Sequence, residues 1–165
     1  MFLLDTEVIW ALRSAKRESG DAPVMAWVAT QPRSSLFMSA LTFAELGGVA
    51  IQIERADKAS ASAVRQWMDS AVPAAFEGRI VSIDATVTRR AAALGYSHLR
   101  DGLFAATALE HGLTIASRSP GSYRSGKVRT LNPWSYSAGV DAESGDWRQA
   151  SRSGPVWLKN LFVRG

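Results

Sequence analysis

The sequence contains no cysteine, which excludes disulfide staples and every metal site built on thiolates. Histidine is scarce, and His98 and His111 do not stand at a metal-ligand spacing with each other. Carboxylates are therefore the main candidate ligands, and they suit hard ions such as Mg²⁺ or Mn²⁺. Long hydrophobic runs are missing too: no segment approaches the roughly 18 to 20 uninterrupted apolar residues of a membrane span. The opening MFLLDTEVIWAL meets an acid at its fifth position, which argues against a signal peptide. A cytoplasmic protein with no membrane partner is the expectation.

Neither sign of charge dominates. Nineteen basic and fifteen acidic residues leave a net charge of +4, which suits contact with RNA, DNA or an acidic partner without requiring it. What is present is enough apolar residue, 47% of 165, to close the core of one domain.

The apolar residues are arranged as alternating strands and helices. Phe2-Leu3-Leu4 is a short run ending at Asp5-Thr6, after which Val8, Ile9 and Leu12 recur at helical spacing. Asp21 and Pro23 mark a second helix start, and Gln31-Pro32 stops that helix. Leu36 to Ala40 reads as a strand, followed by a helix opened by Thr42-Phe43-Ala44-Glu45. A third long helix is expected from Lys58 to Val72, ended near Pro73, with a strand over Ile80–Ile83 after Gly78. Asp84 caps a helix that Gly95 breaks, and Arg100 to Glu110 forms another that Gly112 ends. Strands at Leu113–Ala116 and Val128–Leu131 flank a Ser/Gly/Arg-rich loop, Ser117 to Lys127.

This alternation predicts an α/β fold: a three-layer, Rossmann-like architecture with a mainly parallel central sheet flanked by helices. The domain is expected over 1–134. Residues 135–165 read as a polar tail, irregular except for a short helix near 156–163.

Three acids stand where such a fold gathers ligands. Asp5 follows the first strand, Glu45 opens the helix after the second, and Asp101 lies in the first turn of a later helix. Each also has an ordinary structural reading: Asp5 as a helix cap, Thr42-x-x-Glu45 as a capping box, Asp101 as a partner of the helix dipole. All of these readings nevertheless place the acids at helix N-termini, and ligands of open α/β sheets bind at the carboxyl ends of the strands. Three anions gathered there would need a cation, and a divalent ion held by carboxylates and water meets that need.

Taken in order, LLDTEVIWAL, LFMSALTFAELGGVA, GRIVSIDATV, RDGLFAATALEHGLTIASRSPGSY and LNPW resemble the PIN-domain toxins of VapBC type, including the VapC and FitB-like members. The resemblance implies a PIN-like fold and a Mg²⁺- or Mn²⁺-dependent endoribonuclease that acts on an RNA substrate. It further implies restraint by a cognate antitoxin and assembly as a homodimer. Its catalytic acids map onto Asp5, Glu45 and Asp101, with Asp5 and Asp101 as metal ligands. Thr6 would orient Asp5 or touch the metal shell, and Ser117 replaces a customary threonine.

The sequence departs from that pattern in several places. A fourth acid or asparagine, and an aspartate a few residues later, are usual after the last core strand; here both positions are serine, Ser119 and Ser122. Serine can support a metal-bound water but adds no charge, so a second expectation is a catalytically weakened PIN module that still binds antitoxin or nucleic acid. Glu7, where a neutral residue is usual, either supplies the missing charge or faces solvent.

Basic residues cluster around Arg13, Lys16 and Arg17 and again around Arg118, Arg124, Lys127 and Arg129. They read either as solvated charge or, flanking a cleft, as RNA-binding groups, with Arg13 and Arg118 the candidates. Trp10, Trp27 and Trp67 fall on helical stripes and read as core or dimer-interface residues.

Overall fold

The structure, a computed structural model, describes residues 1–14 and 19–137. Chain order is β1 (Phe2–Leu4), α1 (Thr6–Ser14), α2 (Ala22–Thr30), β2 (Leu36–Ser39), α3 (Leu41–Glu54), α4 (Lys58–Gln66), α5 (Val72–Ala75), β3 (Ile80–Val81), α6 (Ala85–Leu94), α7 (Leu99–Glu110), β4 (Thr114–Ala116) and β5 (Thr130–Leu131). The strands form one parallel sheet in the order β3-β2-β1-β4-β5. The expected α/β architecture is therefore the observed one.

Register explains why the strands read as continuous apolar runs. Successive residues of a strand face opposite sides of the sheet, and a parallel sheet is covered on both. Leu3 pairs with Phe37 and Ile115, and Leu4 with Met38 and Ala116. The Leu4 row packs into the core made by α1, α2, α3, α4 and α5, through Val8, Val28, Leu46 and Val72. The Leu3 row packs on the other side with Phe104, Ala108 and Tyr123. Each fully buried leucine of this kind contributes about 1.5–3 kcal/mol relative to exposure.

The strand order places the site. The chain runs outward from β1 to β2 and β3 with its crossover helices on one face, then returns through α6 and α7 on the other face to set β4 on the far side of β1. A chain that reverses its direction along the sheet while keeping one crossover hand must change faces in this way. The carboxyl ends of β1 and β4 thus flank the switch point where an open α/β sheet binds ligands. Asp5 leaves β1 there, its N–H donating to the Ala116 carbonyl at 3.0 Å.

Local punctuation behaves largely as the sequence dictates. Asp84 accepts from the Thr86 and Val87 N–H groups, both at 2.9 Å, at the start of α6. Gly95 ends that helix with a left-handed φ of +66°, which a side chain would resist.

Two expectations need correction. Pro73 does not end the helical segment: after α4 the chain makes a π-type turn over Trp67–Ala71 and continues as α5 through Ala75. Proline is tolerated because it sits in the first turn of α5, where a wider turn has already interrupted the bonding ladder. The loop after β4 is likewise not irregular throughout, since Pro120–Gly126 is a 3₁₀ helix.

Among the described residues no helix is long and apolar enough to cross a membrane. The sheet ends with β5, and Trp134 and Tyr136 beyond it still pack on the core. The short helix expected near 156–163, and Lys16 and Arg17, lie outside the described residues.

Candidate active site

Asp5 is 2% exposed, so its charge has to be met by the protein. Its carboxylate accepts from the Thr6 N–H at 2.7 Å, from the Tyr123 hydroxyl at 2.9 Å and from Nη2 of Arg100. A helix cap would instead accept from the second or third helical N–H. The Asp5 backbone carbonyl does serve α1, accepting from Val8 and Ile9. Its side chain is committed elsewhere.

Glu45 also escapes its simple reading. Ala40 caps α3 and no side-chain cap bond forms, so the capping box does not exist. With Thr42 buried inside the helix, Glu45 turns to the sheet edge, where one carboxylate oxygen accepts from Thr6 Oγ1 and the other from Arg100 Nε. Thr6 is thus a bridge: its backbone holds Asp5 and its hydroxyl holds Glu45, while Thr42 Oγ1 lies 3.5 Å away. Asp101, in the first turn of α7, accepts from Arg100 Nη1 at 3.0 Å.

All three predicted acids are therefore brought together, and what joins them is a residue the sequence reading missed. Each nitrogen of the Arg100 guanidinium meets a different carboxylate: Nε meets Glu45, Nη2 meets Asp5 and Nη1 meets Asp101. Nη1 also donates to the Tyr123 hydroxyl at 3.0 Å, and the guanidinium lies 4.8 Å from the centre of the Phe104 ring. Burial alone would lower the Arg100 pKa, but Asp5 foremost, with Glu45, reverses the sign and raises it. The planar fork of arginine is what makes a three-way pairing possible.

Tyr123, the other missed residue, is wholly buried and reaches Asp5 from the 3₁₀ helix after β4. Burial first, then the Asp5 charge, push its phenol above the ordinary tyrosine range. Its loop is clamped by Tyr96, whose hydroxyl donates to the Tyr123 carbonyl and accepts from the Gly126 N–H, each at 2.8 Å. A Cβ at Gly126 would stand 2.6 Å from that hydroxyl, so any side chain there has to push the Tyr96 ring aside. The available signals were weak: an arginine in a helix's first turn, where the dipole disfavours it, and a lone tyrosine in a polar loop.

The remaining predicted residues divide. Ser117 is buried and its Oγ accepts from the Ser119 N–H at 3.1 Å, while Ser119 and Ser122 are exposed and linked by a 3.1 Å backbone bond. Ser117 is thereby committed to shaping the turn after β4. Glu7 is exposed on the cleft wall. Arg13 is half-buried over Trp10 and Trp67, at 5.3 and 5.9 Å from their ring centres, which ties it to that aromatic pair. His98 and His111 are exposed at the two ends of α7.

Glu45 and Arg100 face a cleft of about 800 Å³ whose walls also include Thr6, Glu7, Trp10, Val49, Ile53 and Arg118, while Asp5 lies buried behind the guanidinium. Arg118 stands at the rim, 4.2 Å over the Trp134 ring and 3.0 Å from Asp21. Asp21, read from sequence as a helix start, makes no side-chain cap; it accepts from Arg118 and from the Trp134 indole at 2.9 Å.

The all-oxygen donor set fits Mg²⁺ or Mn²⁺ in its chemistry. With Arg100 in its midst it does not yet fit in arrangement: among the described residues no three acidic or histidine side chains are grouped to hold a metal ion.

Comparison with known proteins gives one answer. Residues 2–120 match the PIN domain family. The chain is 32% identical to the plasmid stability protein StbB of Pseudomonas syringae pv. tomato over 81% of this chain and 99% of that protein. It is 32% identical to toxin FitB of Neisseria gonorrhoeae, again over 81% and 99%. With the VapC ribonuclease Y4jK of Sinorhizobium fredii the identity is 30%, over 81% and 98%. The crystal structure of FitAcB from Neisseria gonorrhoeae superposes with a TM-score of 0.72 at 29% identity, covering 82% of this chain and 99% of that one. Sequence, topology and the acids at the switch point agree, and the chain belongs to the PIN-domain family, among its VapC- and FitB-like toxins.

Proposed function

We propose that the protein is an endoribonuclease toxin of a toxin–antitoxin pair, cytoplasmic and dimeric, with Asp5, Glu45 and Asp101 as its catalytic acids. The observation that carries this reading is the meeting of those three carboxylates on one cationic group at the switch point. Similarity to a VapC ribonuclease and to toxin FitB supports RNA as the substrate. A solved relative at 28% identity, FitAB bound to an IR36 DNA fragment, supports a proteinaceous partner that also contacts DNA.

The cofactor under this reading is Mg²⁺ or Mn²⁺, held by Asp5 and Asp101; when bound, such an ion lowers the pKa of a coordinated water and stabilises charge on the phosphate. This chain's own groups orient the reaction. Thr6 ties Asp5 to Glu45, and Tyr123 holds the second oxygen of Asp5 while the first accepts from the Thr6 N–H and from Arg100. Arg118, exposed and backed by Trp134, supplies a cation for the RNA backbone at the rim. Arg13 would contribute only from outside the cleft.

A second reading, a PIN module with weakened turnover, is favoured by one observation: Arg100 fills the centre while Ser119 and Ser122 bring no charge. RNA cleavage by the purified chain with Mn²⁺, measured beside Asp5→Asn, separates the two. The ribonuclease reading expects cleavage that Asp5→Asn abolishes. Equal residual cleavage by that variant would assign the activity to a contaminant.

A further inference from the structure

We propose that Arg100 is a built-in competitor for the metal: its guanidinium occupies the cation seat of the acidic centre and must swing out before a divalent ion can enter. This inference rests on the reading of Asp5, Glu45 and Asp101 as a metal centre.

Three features carry it. Arg100 gives a separate nitrogen to each acid, so a single side chain stands where an ion would otherwise stand and supplies part of its counter-charge. It does so from the first turn of α7, where the helix dipole opposes a positive charge; the carboxylates hold it there rather than its own helix. The three acids converge on the guanidinium, and among the described residues no three acidic or histidine side chains converge on a common point that would suit a metal ion.

The arrangement is also releasable. Arg100 remains 36% exposed on the cleft side, unlike Asp5 beneath it. Its departure needs a rotamer change and no proton loss, since guanidinium stays charged in proteins. One guanidinium against three carboxylates leaves the centre anionic, so a divalent ion has a driving force to replace it. Apparent metal affinity is the intrinsic affinity multiplied by the fraction of molecules with Arg100 out; a fraction of about 1–10% weakens binding about ten- to hundredfold. Metal concentration then sets how much of the protein is in a metal-competent state.

Calorimetric titration of the full chain with MnCl₂ alone, without RNA, tests this. Arg100→Gln should bind Mn²⁺ at least about tenfold more tightly than the wild type, and Arg100→Lys, which keeps a charge but not the three-way fork, should fall between. The apo Arg100→Gln protein should melt below the wild type in EDTA and gain more melting temperature on adding Mn²⁺. In the wild type, the Arg100 Nε–H resonance should shift as diamagnetic Mg²⁺ saturates the protein. Equal or weaker Mn²⁺ binding by Arg100→Gln, or an Arg100 resonance unmoved at metal saturation, would overturn the proposal and leave Arg100 a structural brace. Tight binding by Arg100→Gln without RNA cleavage would uphold the competition and remove the ribonuclease reading. Wild-type cleavage with no gain of metal affinity in the variant would do the reverse.

Discussion

Two arginines face one cleft under different constraints. Arg100 lies at the floor with three acids on its three nitrogens, a phenol beside it and a phenyl ring against it. Arg118 stands at the rim, 53% exposed, with one acid and one indole as its described partners. The floor joins its cation to three acids with net negative charge left over; the rim leaves a cation facing water. A guanidinium engaged on all three nitrogens is poor at recruiting a phosphate, whereas a stacked, half-solvated arginine is well suited to a phosphate backbone.

The sharpest way to break the floor is Asp5→Ala. It strips Arg100 of its most buried partner and leaves the Tyr123 hydroxyl without its acceptor, so a loss of about 3 kcal/mol is expected in urea unfolding. Gly126→Ala attacks the same floor from behind by driving the Tyr96 hydroxyl off the Tyr123 loop. About 2 kcal/mol is expected, with a matching fall in melting temperature.

Tyr123→Phe is milder, about 1 kcal/mol, because it removes one hydrogen bond and keeps the ring. It also carries a pH signature. The Tyr123 pKa is raised on folding, so above about pH 10 the unfolded chain sheds this proton while the folded chain keeps it. The stability contribution of this group is thus complete below pH 10 and declines as pH rises further. Tyr123→Phe should flatten that alkaline decline, measured by unfolding between pH 8 and pH 11. Arg118→Ala should change stability least, by under about 1 kcal/mol, as exposed ion pairs do, yet reduce the salt dependence of RNA binding by about one phosphate contact. A stability loss at Arg118 as large as that at Asp5 would erase the distinction between floor and rim.

Much of this was legible in the sequence. Apolar runs, the Asp84 cap and Gly95 report on chemistry within a few residues, so the strands, helices and their order could be read directly. Asp5 and Glu45 were visible because topology fixes where residues after parallel strands must lie, and Asp101, in a helix that follows another helix, through its place in the RDGLFAATA block. Arg100 and Tyr123 were not, because their partners are distant in the chain: Arg100 meets Asp5 across 95 residues and Tyr123 meets it across 118. Glu45 shows the converse error, since a local motif suggested a capping box while a long-range cation and a neighbouring threonine claimed the carboxylate. Pro73 misled for a related reason, as the wide turn before it carries no sequence mark.

The division of labour between floor and rim is tested most directly by single-turnover cleavage of a short RNA at saturating protein with Mn²⁺, comparing Asp101→Asn with Arg118→Ala. Chemistry at the floor and binding at the rim predict a rate loss of at least about a hundredfold for Asp101→Asn and a rate close to wild type for Arg118→Ala. Equal losses in the two variants, or no cleavage by the wild-type protein, would contradict the account.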